Sequence, residues 1–191
     1  MYSLKAGRRM TLFGKAALCL FIDLESDFEV SAVCERPLVI PYTKPQRIVD
    51  FWGMRGGVPT FYLLTKSSEV WEKEKAKLAY TEFHKWVSDC KGKLVEVLVD
   101  DFDKRRTHYD NWSLVLQHLI SHRGQVSDKL VEQCENIMPA TWKLRDFENH
   151  LRDVDAMLVR AAVFSLLADG RLVCPTIGTL PITHTTEVSR L

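Results

Sequence analysis

The sequence predicts an α/β protein in two parts, a strand-rich domain over residues 1–103 and a mostly helical domain over residues 104–191. Three observations carry this. Apolar and polar residues alternate in short runs between residues 29 and 65, the period of half-buried strands. A long amphipathic stretch then leads into a new apolar run, LVEVLV (Leu94 to Val99), as a helical crossover between parallel strands would. Beyond Asn111 the β alternation fades and helical spacing takes over.

Taken in order, AALCLFIDL gives the first element, a short amphipathic or buried helix over about Leu12 to Leu24. EVSAVCE and PLVIPYT alternate as strands, with Arg36-Pro37 as the turn between them. RIVDFWG is a third strand, Gly53, Gly56 and Gly57 punctuate a hairpin loop, and PTFYLLT is a fourth strand. From Ser68, EVWEKEKAKLAYTEFHKWVSD sets Val70, Leu78, Phe83 and Val87 at helical spacing among Glu and Lys, and Lys91-Gly92 closes this helix. LVEVLV then runs parallel to the sheet.

DFDKRRTHYDN (Asp101 to Asn111) is polar and charged and reads as a connector. After it WSLVLQHLIS, VSDKLVEQCENI, TWKLRDFENHL and VDAMLVRAAVFSLLADG all carry helical periodicity. Gly124 and Gly170 mark helix ends, and Pro139 breaks the chain ahead of Thr141, the expected N-cap of the next helix. RLVCPTIGTLPIT offers two short extended pieces around Ile177-Gly178. Several helices closed by a small β-hairpin is the order of a winged-helix domain.

Composition excludes several classes. Of the 191 residues 46% are hydrophobic, enough for one sizeable core or two small ones, so disorder over most of the chain is not expected. Cys19, Cys34, Cys90, Cys134 and Cys174 are far apart and form no CxxC or Cys/His ligand spacing, which speaks against a zinc module or disulfide framework and for a reducing cytosol. The run Ala16 to Ile22 is short and leads into DLESDFE without a small-residue cleavage pattern, unlike a signal peptide, and no stretch approaches the roughly 20 apolar residues of a membrane span. The formal net charge of +1 hides a basic start, Lys5, Arg8, Arg9 and Lys15, with no acid in the first fifteen residues.

Residues Arg47 to Glu69, RIVDFWGMRGGVPTFYLLTKSSE, carry the chemical signal. A nuclease that hydrolyses phosphodiesters with Mg²⁺ needs carboxylates on adjacent strands to hold the hard cation, and a lysine to position water or steady developing charge. The minimal arrangement is Pro-Asp on one strand and Glu-x-Lys on its hairpin partner. Asp50 holds the first position, with Val49 in place of the proline, and Lys66 holds the last. Leu64 stands where the second carboxylate belongs.

The surroundings extend this pattern. LFIDLESDFEVSAVCERPLVIPYT, IVDF, FYLLTK, the KEKAKLAYTEFHKWV helix, VLVDDF and ADGRL (Ala168 to Leu172) follow one another in an order and spacing that resemble the TnsA family, the endonuclease subunit of heteromeric, Tn-seven-type bacterial transposases. The resemblance covers nearly the whole chain, each motif being degenerate. In that family IVDF is normally Pro-Asp-Phe and FYLLTK is normally Leu-x-Glu-x-Lys. The resemblance implies a restriction-endonuclease-like (PD-(D/E)xK) domain followed by a winged-helix-like domain. It also implies a bacterial cytoplasmic protein that docks on a DDE-type transposase subunit and an AAA+ transposition regulator, and helps position transposon-end DNA.

The family's remaining metal-site acid is a glutamate on the first helix, and Thr11 to Leu18 contains no acid, the position falling near Gly14 or Lys15. With Asp50 the one retained candidate ligand, the expectation is a catalytically degenerate subunit, a pseudonuclease with Asp50 and Lys66 as remnants and no cofactor. Two alternatives stay open. One is an active Mg²⁺-dependent endonuclease that cuts 5′ transposon ends with Asp50, Lys66 and a relocated acid, Glu69, Glu72 or Glu74. The other is a winged-helix regulator unrelated to transposition.

The remaining candidates are weaker. Lys5, Arg8 and Arg9 in the N-terminal arm, and Lys104, Arg105 and Arg106 in the connector, are candidate contacts to DNA phosphates. TWKLRDFENHLRD could enter a major groove, but Asp146, Glu148, Asp153 and Asp155 oppose phosphate and tilt that domain toward protein partners. His118 and His122 stand i, i+4 with no third ligand nearby. Asp100 and Asp101 read as strand-end residues. Trp52, Trp71, Trp86, Trp112 and Trp142 read as core or interface anchors, and no GxGxxG, P-loop or GxSxG is present.

Overall fold

The computed structural model describes residues 1–44, 46–66 and 74–190. The chain is mixed α/β and divides into two compact units, Met1–Glu25 with Glu29–Lys104, and Ser26–Phe28 with Arg105–Leu191.

The first unit opens with a small antiparallel ribbon, β1 (Tyr2–Ser3) with β2 (Arg8–Arg9), ahead of α1 (Gly14–Ser26). Then follow β3 (Val30–Glu35), β4 (Val39–Ile40), β5 (Arg47–Ile48), β6 (Phe51–Arg55), β7 (Val58–Thr65), α2 (Glu74–Asp89) and β8 (Lys93–Leu98). The four-stranded sheet has the order β3-β6-β7-β8. Its first three strands are antiparallel and β8 runs parallel to β7, as the crossover through α2 demands.

The expected meander is corrected at one place. PLVIPYT contributes only Val39–Ile40, and RIVDFWG is split, Arg47–Ile48 pairing with β4 while Phe51–Arg55 joins the sheet. Hydrogen bonding explains the split: the wholly buried Val49 donates its N–H to the Leu38 carbonyl (3.0 Å), whereas the next N–H, of Asp50, donates to Tyr62 (3.1 Å). The chain changes partners between these two residues, which leaves Asp50 at the junction.

Alternation on β7 places Phe61 and Leu63 under α2, where they pack with Ile40, Val49, Phe83 and Val87. Trp86 lies 5.6 Å from Phe61 and 5.7 Å from Phe83, ring to ring, and Trp52 closes the same cluster. Thr60, Tyr62 and Leu64 belong to the opposite face. At the end of α2 Lys91 takes the left-handed turn (φ 56°), while Gly92 allows close approach, since a Cβ there would stand 2.9 Å from the Pro59 carbonyl.

Glu25, at the end of α1, fastens the N-terminal ribbon. Its buried carboxylate accepts from Ser3 Oγ (2.5 Å) and the Leu4 N–H (3.0 Å), and Lys5 Nζ donates to the Leu24 carbonyl (2.7 Å). Burial pushes the Glu25 carboxyl above its ordinary range in spite of these donors.

The stretch expected to be a connector is helical. A 3₁₀ segment over Val99–Arg105 runs into α3 (Arg106–Ser121). Its charges pair along the helical surface, Lys104 with Asp101 at 2.6 Å and Arg106 with Asp110 at 3.7 Å, and the apolar anchors Phe102 and Tyr109 are buried. Polar composition hid these two buried anchors, each enclosed within its own unit.

The second unit continues with α4 (Asp128–Ile137), β9 (Thr141–Lys143), α5 (Leu144–His150), α6 (Ala156–Ala168), β10 (Leu172–Val173) and β11 (Glu187–Arg190). Ser127 caps α4 by accepting from the Leu130 N–H, and Asp155 caps α6 by accepting from Met157 (2.7 Å). α6 packs against α3, α4 and α5, and Val159, Ala161, Ala162, Val163, Phe164, Leu166 and Leu167 are all buried, which is why it is apolar around nearly its whole circumference.

Two further expectations are corrected here. Thr141 is not an N-cap: it lies in β9 opposite Ser189, and α5 starts after Lys143, whose N–H is taken by the Asp146 carboxylate (3.0 Å). TWKLRDFENHL is therefore a strand and a short helix, its local helical spacing overridden by pairing with β11. The closing hairpin also reaches further than expected, because β10 pairs with Glu187–Arg190 and not with TLPIT, in a three-stranded sheet of order β10-β11-β9.

The long loop between β10 and β11 is ordered by one buried amide. Asn111 on α3 is 4% exposed; its Nδ2 donates to the Ile177 and Leu180 carbonyls (both 2.7 Å) and its Oδ1 accepts from the Ile182 N–H (2.9 Å). Two acceptors and one donor fix which way the amide points. Asn111→Ala strands these three loop groups, so it should cost about 2 to 4 kcal/mol. Urea unfolding followed by circular dichroism should show a lower midpoint at unchanged slope.

Candidate functional site

The change of partners at Val49 and Asp50 builds a cleft of about 490 Å³ in the first unit. Asp50, Arg47, Gln46 and Ile48 contribute one side, Glu35 and Arg36 follow from the end of β3, and Thr11, Leu12, Phe13 and Ala17 come from the start of α1.

Asp50 is committed to its own fold. Its Oδ2 accepts the Leu64 N–H at 2.7 Å and faces the Arg47 guanidinium at 3.4 Å. Arg47 in turn donates to the Leu64 carbonyl and is hydrogen-bonded to the Tyr80 hydroxyl. Carboxylate, guanidinium and the Leu64 peptide thus form a closed ring. Side-chain exposure is 26% for Asp50 and 32% for Arg47, so both are largely withdrawn from water. Burial holds the Asp50 carboxyl above its ordinary 3.8, and the Leu64 amide, Arg47 and Arg36 only partly offset it. Burial likewise raises the Tyr80 hydroxyl, opposed by Arg47.

The second acid of the cleft is Glu35, which sequence reasoning quoted as part of a motif without assigning it to the site. Arg8 grips it through both oxygens, Nη1 to Oε1 at 2.8 Å and Nη2 to Oε2 at 2.5 Å. That paired bond lowers the Glu35 carboxyl below its usual range and raises the Arg8 guanidinium. Pairing of Glu35 with Phe51, one residue beyond Asp50, could have placed it here had the register been known.

Mg²⁺ asks for several free, hard oxygen ligands. Neither cleft carboxylate is free, a guanidinium already faces Asp50, and Leu64 presents only a peptide group that is itself engaged. These residues do not suit the cation, and among the described residues no cluster of three His, Cys, Asp or Glu side chains fits a metal.

Other candidates lie as follows. Lys66 is exposed, just past the end of β7 on the Leu64 side of the strand by alternation. Gly14 and Lys15 open α1, and Lys15 pairs with Asp103 at 2.5 Å. Glu69, Glu72 and Trp71 lie outside the described residues, and Glu74 is the first residue of α2. Asp100 and Asp101 fall in the 3₁₀ segment, Asp101 paired with Lys104.

Of the basic candidates, Lys5 is engaged with the Leu24 carbonyl, Arg8 is exposed but bound to Glu35, and Arg9 is exposed on β2. Arg105 lies against the Tyr109 ring (5.1 Å) and hydroxyl (3.0 Å), and Arg106 pairs with Asp110. His118 and His122 stack ring on ring at 5.6 Å, and burial, with Arg160 nearby, lowers the His118 value. Trp112 is buried in the second unit, and Trp142 packs edge-on against Phe147 at 4.9 Å. Burial pushes the Cys134 thiol up to about 11, leaving it unreactive.

A raised carboxyl value stabilises the fold below the unfolded value, and that stability is lost as pH rises through the folded one. Ionised Asp50 is therefore a net burden at neutral pH. Asp50→Asn keeps an oxygen for the Leu64 N–H, so its stability relative to the parent should be higher at pH 7 than at pH 3.5. Urea titrations at the two pH values check this, and the reverse order would mean that the pairing with Arg47 outweighs desolvation.

Compared with protein-family models and with curated proteins, the chain finds no match.

Proposed function

We propose that this chain is a catalytically degenerate TnsA-like subunit of a heteromeric transposase, which holds DNA and partner proteins without cutting. The observation that carries the reading is the ring of Arg47, Asp50 and Leu64: where a nuclease of this plan holds a divalent ion between two carboxylates, a fixed guanidinium faces one carboxylate and a leucine replaces the other.

The order of elements supports the two expected architectures. α1-β3-β6-β7-α2-β8, with three antiparallel strands and a fourth parallel to the third, is compatible with a restriction-endonuclease-like core. α4-β9-α5-α6-β10-β11, with β11 between its two neighbours, is compatible with a winged helix. In that plan α6 takes the place of the helix that would enter a major groove. Its residues are mostly buried, and its one cation, Arg160, is bound to Glu148 at 2.5 Å. Such a helix is poorly equipped to read DNA, which favours protein partners for the second unit, a DDE-type transposase and an AAA+ regulator. DNA contact then falls to the first unit. No helix among the described residues is long and apolar enough to cross a membrane, in keeping with a cytoplasmic role.

The test is cleavage. With transposon-end DNA, Mg²⁺ or Mn²⁺ and a DDE-type transposase partner, the purified chain should leave the 5′ strand intact. Leu64→Glu alone should not restore cutting, because Arg47 still faces Asp50. Nicking that disappears in Asp50→Ala would overturn the reading in favour of an active endonuclease.

A further inference from the structure

The cleft holds a strained cation that no carboxylate grips directly. Arg36 adopts a left-handed backbone (φ 48°), a conformation suited to glycine and costly for a long side chain. It is kept there by its N–H donating to the Asp50 carbonyl at 2.9 Å. Its guanidinium lies over the ring of Phe13, 5.0 Å from the centroid, and Phe13 is 65% exposed at the cleft. Unlike Arg8 and Arg47, Arg36 makes no direct ion pair with a carboxylate among the described residues and reaches Asp50 only through its longer-range field. Within the cleft the acids Glu35 and Asp50 are matched by Arg8 and Arg47, so Arg36 leaves one positive charge in excess.

We infer that Arg36 and Arg47 together seat a phosphate of the DNA backbone in this cleft, without a divalent ion. This rests on the proposed DNA-holding role and names its ligand chemistry. Guanidinium groups present a planar fork of donors that suits phosphate oxygens. Arg47 is immobilised by Asp50, Leu64 and Tyr80, and Arg36 is held against Phe13, so both lose little freedom on binding.

The experiment uses the full chain and a fluorescein-labelled DNA duplex in EDTA, followed by anisotropy over a range of salt. Arg36→Gly removes the guanidinium and relieves the left-handed backbone, so it should fold with an unchanged or higher Tm. Affinity should fall about tenfold and the salt slope should shrink by about one. Arg36→Asn, which also tolerates the left-handed region, should repeat the loss and guards against a folding defect. Arg55→Ala, at the other end of β6 and paired with Glu29, should change affinity much less.

Parental affinity in both Arg36 variants, with the 5′ strand left uncut in the cleavage assay, overturns the phosphate seat and leaves the proposed function standing. Binding by the parent only when Mg²⁺ is present overturns the seat as well. No DNA binding under any condition overturns both.

Discussion

Everything in the first unit converges on the peptide of Leu64. Its N–H is taken by the Asp50 carboxylate and its carbonyl by the Arg47 guanidinium, while Arg47 and Asp50 face one another. This ring stands where the chain leaves the β4–β5 ribbon and joins the sheet, so it fixes both the register of β6 on β7 and the floor of the cleft. A strand end that would otherwise expose unpaired peptide groups is closed by side chains.

The same ring decides the electrostatics. A carboxylate moved out of water is disfavoured in its charged form, and Asp50 shows the result, with its neighbours too weak to reverse it. The charge that faces it is the Arg47 guanidinium at 3.4 Å. Glu35 is drawn the other way by its two-pronged bond with Arg8. Two acids in one cleft therefore have opposite perturbations, each explained by what it touches.

The second unit is organised differently, by burial. α6 is enclosed by α3, α4 and α5 and carries few polar atoms. The polar work is delegated to Asn111, which replaces three backbone partners for the loop before β11. A buried amide with both donors used and its oxygen accepting holds three points of that loop at once.

Periodicity made much legible beforehand: α1, the hairpin of β6 and β7, the helix before β8 and its parallel return, and the helices α4 and α6 all lie within stretches whose apolar spacing announces them. Local spacing misled where partners far along the chain intervened. Thr141 to Lys143 became a strand because β11, more than forty residues later, needed a neighbour. The charged run from Asp101 became helix because Phe102 and Tyr109 found cores to enter. At the cleft, the residue pattern singled out Asp50, which does line it, whereas Leu64 meets Asp50 through its peptide and Lys66 lies past the end of β7. Tertiary structure alone decided that Arg47 faces Asp50, that Arg8 takes Glu35 and that Arg36 is left over, because charge pairing depends on distances of a few ångströms between residues that composition cannot bring together.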